Sequence, residues 1–171
     1  MKRFIEYLKR LFRKDDMLGG RTSSVKTYML TFVGRSGTNL ADGAVFYLGG
    51  MGGALVANGL DGYYEIPIPI SGKAVAYAYH VNALAANSGT SAETGSMLLR
   101  TNTNGSGTAD VATLSTTVAF TAASGAGNTT VGTCNISVTA GTVALAKVVC
   151  PTWATNPTAN FEITLQLVIE Y

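Results

Sequence analysis

The chain has 171 residues, enough for one domain with a core that needs no metal or disulfide to hold it together. Only 13% of the residues are charged, whereas the surface of a free-standing cytosolic protein is normally about a quarter charged or more. This composition favours a protein whose small-polar surface is partly covered by neighbours, with a secreted adhesin-like surface as the competing explanation. Two cysteines are too few for a disulfide framework.

The charges are distributed unevenly along the chain. Residues 1–26 contain eight basic and three acidic residues, a net charge of +5, and the remaining residues contain four basic and seven acidic ones, a net charge of −3. The sequence therefore predicts a basic N-terminal arm (residues 1–20), a tether (residues 21–26) and a mildly acidic body (residues 27–171).

The arm has the pattern of an amphipathic helix. Its apolar residues recur at helical spacing and predict one apolar face, formed by Phe4, Ile5, Leu8, Leu11 and Phe12. Gly19 and Gly20 are typical of a helix stop. Charged residues interrupt the apolar stretch, which argues against a secretory signal peptide, and no apolar run is long enough to span a bilayer.

A helix of about 14 residues is marginal in water, so the arm needs a surface to lie against. We expect its apolar face, with Arg10 and Arg13, to dock on the body, on a sister subunit or on a larger assembly. A membrane surface also suits a basic and aromatic helix, and phosphates of a nucleic acid could pair with its Lys and Arg residues. These two partners are less favoured.

The body reads as a series of short strands separated by Gly, Asn and Ser. Segments rich in β-branched and aromatic residues are Val25–Val33, Ala44–Leu48, Tyr63–Ile70, Lys73–Leu84, Ser96–Asn102, Ala109–Thr121, Thr130–Thr139, Val143–Val149 and Asn160–Tyr171. Pro67 and Pro69 cannot donate to a sheet, which places their segment at an edge or at the start of a strand. Eight or nine strands with no second helix predict an all-β sandwich or barrel.

Two segments alternate between apolar and other residues. In Lys73–Leu84, the pattern puts Val75, Tyr77, Tyr79 and Val81 on one face and Ala74, Ala76, Ala78 and His80 on the other. The last strand has an apolar face formed by Phe161, Ile163, Leu165, Leu167, Ile169 and Tyr171. Its second face has few charges for a solvent-facing surface, so we expect that face, or the Tyr171 end, to contribute to a subunit interface.

The sequence segments that partly match catalytic or ligand-binding motifs lack the residues or the spacing that those motifs require. Gly49–Gly53 lacks the spacing of a nucleotide-binding loop, and Ser71-Gly72-Lys73 does not complete a P-loop. His80, the only histidine, has no Cys or carboxylate at ligand spacing and is interpreted as a strand side chain. The sequence contains no recognisable nucleophile–base pair. It predicts no catalytic residue, no metal site and no cofactor, and a protein that is not an enzyme.

Three aromatic residues are candidates for contact with a ligand or partner. Trp153 lies in a loop bounded by Pro151 and Pro157, where it could plug the end of a sandwich or form an exposed contact. Tyr63 and Tyr64 could stack with a sugar beside it.

Cys134 and Cys150 flank a predicted hairpin with Ala140-Gly141 in its turn. If these two residues form the whole loop, the cysteines point to opposite faces and cannot bond, whereas a register shifted by an odd number would bring them to the same face. Two buried thiols are the favoured interpretation, in keeping with synthesis in the cytoplasm.

Four motifs give the body a family resemblance: EIPIPISGKA at residues 65–74, the Arg-Thr-Asn-x-Asn-Gly turn at Arg100–Gly105, ISVTAGTVALAKV at Ile136–Val148, and the closing ITLQLVIEY. With them, the chain from about Tyr63 onward resembles the small jelly-roll virion proteins of tailed bacteriophages, including head-decoration, head-fibre and tail-fibre modules. The resemblance implies a jelly-roll-like antiparallel β-sandwich, a trimer or another symmetric cluster seated on a capsid, and no catalytic residues.

The expected function is therefore that of a structural virion protein, which decorates or cements the capsid as a symmetric oligomer and uses its arm to dock to the shell or to neighbouring subunits. Its partners would be the major capsid protein or other virion proteins. One alternative is a minor capsid or penton jelly roll whose arm faces an internal membrane or genome. Another is a carbohydrate-binding adhesin or receptor-binding fibre tip.

Overall fold

The computed structural model describes residues 25–36, 40–49, 65–84, 93–102, 109–120, 127–158 and 160–171, and every regular element in these ranges is a β-strand. The strands are β1 Thr27–Arg35, β2 Val45–Leu48, β3 Ile66–Pro67, β4 Gly72–Ala83, β5 Thr94–Asn102, β6 Ala109–Ala119, β7 Gly127–Val138, β8 Val143–Val149 and β9 Phe161–Glu170. Each predicted strand segment overlaps one of them. The predicted helical arm, residues 1–20, lies outside the described residues.

The strands form two antiparallel sheets. The first has the order β1-β9-β4-β7 and the second the order β2-β8-β5-β6, with β3 also paired to β8. Partners nest in sequence, since β1 pairs with β9, β2 with β8, β4 with β7 and β5 with β6. This nested pairing, divided between two sheets, is the arrangement of a jelly roll. The predicted antiparallel β-sandwich is confirmed for the described residues.

Strand β9 lies inside the first sheet, between β1 and β4, and its apolar face lines the core. Phe161, Ile163, Leu165, Leu167 and Ile169 are each 0% exposed. The predicted apolar face of this strand is therefore confirmed from Phe161 to Ile169, whereas Tyr171 follows the strand and is 43% exposed.

Strand β8 of the second sheet contributes smaller side chains to the same core. Ala144, Ala146 and Val148 are each 0% exposed, and they belong to the core cluster that contains the large side chains of β9. Small side chains on β8 among large ones on other strands allow the two inner faces to interdigitate.

A bulge in β4 changes the predicted alternation. Ala74 pairs with Ile169 and Ala76 pairs with Val168, so Val75 is an extra residue relative to β9. As a result Ala74 joins the core cluster together with Tyr77, Tyr79 and Val81, while Val75 packs against Ala76 and Ala78 on the opposite face. The predicted places of Val75 and Ala74 were wrong because a regular period of two cannot include a bulge.

The predicted hairpin between β7 and β8 was also wrong. Strand β7 pairs with β4 in the first sheet, and β8 pairs with β2, β3 and β5 in the second. The turn at Ala140-Gly141 therefore carries the chain from one sheet to the other. Gly141 has a φ of 78°, a conformation that residues with a Cβ rarely adopt. Cys134 and Cys150 lie on different sheets and are free thiols, so the absence of a bond between them is as expected.

Strand β3 is a two-residue strand beside β8, which confirms the edge position predicted from the prolines. Past it, the backbone N–H of Ile68 donates to the carbonyl oxygen of Thr142 at 2.8 Å, and the N–H of Gly141 donates to the carbonyl oxygen of Ile68 at 3.0 Å. The sheet-crossing turn is thus held by the proline-bearing segment.

The position of β9 leads to a direct test of the core. We expect Leu165→Ala to lower the free energy of unfolding by about 2–5 kcal/mol, because it removes a fully buried side chain from a central strand. The neighbouring Gln166→Thr is the matched control, since Gln166 lies on the opposite face, and it should change the free energy by about 0.5 kcal/mol or less. Urea denaturation measures both, and equal losses would contradict the assignment of the two faces.

Candidate interaction surfaces

The first sheet has one side against the core and one side away from it, which we call the outer face. Strand register and burial assign to it Thr27, Met29, Thr31, Val33 and Arg35 of β1, Glu162, Thr164, Gln166, Val168 and Glu170 of β9, Lys73, Val75, Ala76, Ala78, His80 and Asn82 of β4, and Gly127, Thr129, Val131, Thr133 and Ser137 of β7. This surface contains the second face of β9, which the sequence singled out as a subunit contact.

Charges on the outer face lie only at its two ends. Lys73 is directly opposite Glu170 at one end, and Arg35 is directly opposite Glu162 at the other. The described side chains between these ends include no Lys, Arg, Asp or Glu. Cross-strand neighbours of opposite charge attract each other weakly, so each end is balanced within the chain.

The middle of the outer face is apolar. Ala76, Ala78 and Val168 form a small buried cluster, separate from the core, in which they are 2%, 9% and 5% exposed. The two edge strands carry larger side chains, Met29 on β1 at 52% exposed and Val131 on β7 at 47% exposed. The outer face therefore combines a shallow apolar centre with exposed apolar edges.

His80 is also on the outer face and is exposed. Its Nδ1 lies 2.8 Å from the hydroxyl of Thr129 on the neighbouring strand. Among the described residues no group of three His, Cys, Asp or Glu side chains could hold a metal ion. The placement is that of a strand side chain, as interpreted from the sequence.

The corresponding face of the second sheet is different. There the guanidinium carbon of Arg100 lies 5.1 Å from the centre of the Tyr47 ring, a cation–π geometry. Leu145 lies on this side of β8, outside the core cluster, and is nevertheless 0% exposed. Its described charged side chains are Arg100 and Lys147, near the middle of the face, and Leu145 beside them is already covered.

One end of the sandwich carries both ends of the described chain, and we call it the terminal end. The N–H of Tyr171 donates to the carbonyl oxygen of Lys26 at 2.9 Å, and the hydroxyl of Tyr28 donates to the carbonyl oxygen of Ile70 at 2.8 Å. Tyr28 and Tyr171 have ring centres 5.8 Å apart. Three exposed apolar residues lie here, Val25 at 53%, Ile70 at 41% and Tyr171 at 43%.

The opposite end is closed by Trp153, and we call it the tryptophan end. The indole is 6% exposed and meets the ring of Phe120 edge-on, with ring centres 5.3 Å apart. Phe120 in turn packs edge-on against Phe161 at 5.2 Å. Of the two roles considered for Trp153, this placement favours the plug. Tyr63 and Tyr64 lie outside the described residues, as do the arm residues Phe4, Ile5, Leu8, Arg10, Leu11, Phe12 and Arg13.

Two carboxylates that the sequence did not single out hold the Trp153 loop. The backbone N–H of Trp153 donates to Oδ1 of Asp42 at 2.8 Å, and the N–H of Ala154 donates to Oε1 of Glu93 at 3.0 Å. The indole N–H also donates to the carbonyl oxygen of Ala41 at 3.3 Å. These partners are 111, 61 and 112 residues apart in sequence, so no local pattern could have indicated them.

Both thiols are protected by their surroundings. Burial raises the pKa of Cys150 to about 12 and that of Cys134 to about 11. The thiol of Cys134 also donates to the carbonyl oxygen of Ala74 at 3.3 Å. Since the thiolate is the reactive form, neither side chain is suited to act as a nucleophile near neutral pH. The part of the chain that is described has no helix long and apolar enough to cross a membrane.

No protein-family model matches the sequence, and no curated protein matches it. Among solved structures, a chain from the capsid asymmetric unit of cyanophage Pam1 is 15% identical with a TM-score of 0.40, and the match covers 90% of each chain. A chain of the infectious bursal disease virus Gx strain is 12% identical with a TM-score of 0.44, and the match covers 87% of this chain and 33% of that one.

A carbohydrate-binding module from Cellvibrio mixtus lichenase 5A, in complex with cellotriose, is 13% identical with a TM-score of 0.40. The match covers 89% of this chain and 91% of that module. At these identities and scores, the similarities carry no argument about function.

The raised pKa values predict slow labelling of both cysteines in the folded protein. At pH 8 we expect iodoacetamide to react at least about a hundredfold more slowly than in urea, because the folded thiols are almost fully protonated. Cys150 should react more slowly than Cys134. Since both pKa values are higher in the folded state than in the unfolded state, the stability they contribute is lost as pH rises above about 8.5 toward 11 and 12. Labelling in buffer at the rate measured in urea would contradict both assignments.

The hydrogen bond between Asp42 and the Trp153 loop can be tested with the single tryptophan as reporter. Asp42→Ala should lower the free energy of unfolding by about 1 kcal/mol and shift the Trp153 emission to longer wavelength, because it leaves a backbone N–H without its acceptor. Asp42→Asn retains an acceptor oxygen and should have the smaller effect. Thr155→Ala, exposed in the same loop, is the control. If Asn and Ala had equal effects, the hydrogen bond would not be the cause.

Proposed function

We propose that this chain is a structural, non-catalytic protein of a bacteriophage virion, which decorates or cements the outer surface of the capsid as a symmetric oligomer. The observation that carries the proposal is the outer face of the first sheet. It exposes Met29 and Val131 around an apolar centre and has charges only at its ends. Exposed apolar side chains on a face with few charges favour contact with other subunits.

The residues that carry the family resemblance support the capsid as the partner. Three of the four motifs meet at the terminal end of the sandwich. Ile68 of the first motif bonds to Gly141 and Thr142 of the third, and the N–H of Ala140 donates to the hydroxyl of Ser71 at 2.8 Å. The closing motif ends there with Tyr171, bonded to Lys26. The motifs thus form one connected structural unit, which is a reason for them to occur together in a family.

The terminal end also suggests how the sandwich is oriented on the capsid shell. Residues 1–24 join the described chain at Val25, beside the exposed Ile70 and Tyr171. We therefore propose that the terminal end faces the shell, where the arm docks to the capsid or to a neighbouring subunit, and that the tryptophan end faces outward. The trimer implied by the resemblance is the favoured oligomer. Repeated weak contacts between copies would raise the affinity of each arm through its effective concentration.

Deleting residues 1–18 tests this docking role. We expect the full chain to co-sediment with purified capsids of the virus that encodes it, and the shortened chain to lose most of that binding while it melts at the same temperature. Unchanged capsid binding after the deletion would overturn the role of the arm.

A finer comparison separates the apolar face of the arm from its charge. Leu8→Ser with Leu11→Ser alters the apolar face, and Lys9→Ser with Lys14→Ser is the matched control. The first pair should reduce capsid binding far more than the second, and the reverse order would indicate an electrostatic contact instead.

A further inference from the structure

We propose that the outer face binds the same face of a second copy of this chain, across a two-fold axis that runs parallel to the strands between β9 and β4. This inference rests on the proposed function: where the oligomer is a trimer, the two-fold contact would join copies that belong to neighbouring trimers on the shell. A contact in which both copies use the same patch must be complementary to itself, and the register of the four strands allows that condition to be checked.

The size of the outer face suits a weak contact between copies. Four strands about 4.8 Å apart and about 30 Å long present roughly 550 Å². Specific interfaces begin at about 600 Å² per partner, so one such contact would be weak alone and effective where many copies are held together. A helix of about 14 residues is about 21 Å long and 10 Å wide, and would cover only about a third of this area.

The charged residues at the ends of the outer face determine which orientation of the two-fold axis is favoured. With the axis parallel to the strands, β9 of one copy lies over β4 of the other, so that Glu170 faces Lys73 of the second copy and Lys73 faces Glu170 of the second copy. With the axis perpendicular to the strands, β9 would lie over β9 and Glu170 would face Glu162. Like charges in an interface are unfavourable, which favours the parallel axis.

The shape of the outer face agrees with this arrangement. Here the centre has the small side chains of Ala76 and Ala78, and the edge strands carry Met29 and Val131. In the proposed pair, Met29 lies over Thr133 and close to Val131 of the second copy, so that the exposed apolar side chains of the two copies meet.

The N-terminal arm of the same chain suits this surface less well. Residues 1–26 have a net charge of +5, whereas the charged residues of the outer face, Arg35, Lys73, Glu162 and Glu170, balance one another. A neutral surface offers no electrostatic attraction to a basic helix. A second outer face is equally neutral and, at one end, places Lys73 over Glu170 of the other copy.

Crosslinking tests the contact in the full chain. Met29 and Thr133 are three strand spacings apart, about 14 Å, which is too far for a disulfide within one chain. We expect the double variant Met29→Cys with Thr133→Cys to form a covalent dimer under mild oxidation, with the Met29→Cys to Thr133→Cys linkage identified by mass spectrometry. Met29→Cys alone and the unaltered protein should give little dimer.

Tyr47→Cys with Thr113→Cys is the matched control, because these positions lie on the edge strands of the second sheet's outer side and should give no dimer. Val131→Lys in the crosslinking background should reduce the dimer several-fold without changing the melting temperature.

Four outcomes would overturn the proposal: no dimer from the double variant, stronger dimerisation of Met29→Cys alone, equal dimerisation of the second-sheet control, or loss of the dimer when residues 1–18 are deleted. The last outcome would indicate that the arm, and not the outer face, makes the contact between copies.

The same variants separate this contact from the proposed function. Capsid co-sedimentation without the crosslink would overturn the two-fold contact alone. The crosslink without capsid co-sedimentation would overturn the capsid role and leave the contact between copies.

Discussion

The fold depends on the burial of one row of side chains, those of β9 that face the core. Five residues from Phe161 to Ile169 are fully buried, and the strand that carries them is bonded on one side to β1 and on the other to β4. Because side chains alternate along a strand, shifting either pairing by one residue would expose this row and bury the row with Glu162 and Glu170. Because exposing apolar side chains and burying carboxylates is unfavourable, the buried row specifies the register of β1, β9 and β4 together. It also determines which side chains of β1 and β4 form the outer face.

Nested pairing of the strands determines which residues lie at the terminal end and which lie at the tryptophan end. The described chain begins with β1 and ends with β9, so its two ends meet beside Lys26 and Tyr171, and the sheet-crossing turn at Gly141 lies at the same end. The loop with Trp153 must then lie at the other end, where Asp42 and Glu93 hold it from two other loops. The topology therefore places Val25, the first described residue, and Trp153 at opposite ends of the sandwich. The two sheet faces are left as the lateral surfaces through which copies could meet.

Local sequence patterns were sufficient to predict where the strands lie in the sequence, but they were insufficient to predict which strands pair. Alternation predicted the buried face of β9, and the prolines predicted the edge position of β3, because both depend on residues close in sequence. The connection between β7 and β8 looked like a hairpin because its turn has the composition of one, yet the pairing that decides it is made with β4 and β2. The bulge at Val75 depends on the neighbouring strands, and the anchors of Trp153 lie 61 to 112 residues away. The outer face was predicted only where β9 crosses it, since Met29 and Val131 become its edges only once the sheet order is known.

The two sheets differ in what their outer sides require. On the second sheet, the guanidinium of Arg100 lies over Tyr47, opposite Leu145 of β8, so a partner that covered this side would have to desolvate a charge. On the first sheet, the small residues of β4 leave the centre flat, and no described side chain between the two balanced ends carries a full charge that would have to be desolvated when a partner binds. Desolvation of charges is the main cost of covering a polar sheet. A surface that avoids this cost, and at its ends places Glu170 beside Lys73, is suited to reversible contact with its own copy. Among the described residues, the uncharged stretch is therefore the middle of the outer face, on the sheet that β9 organises.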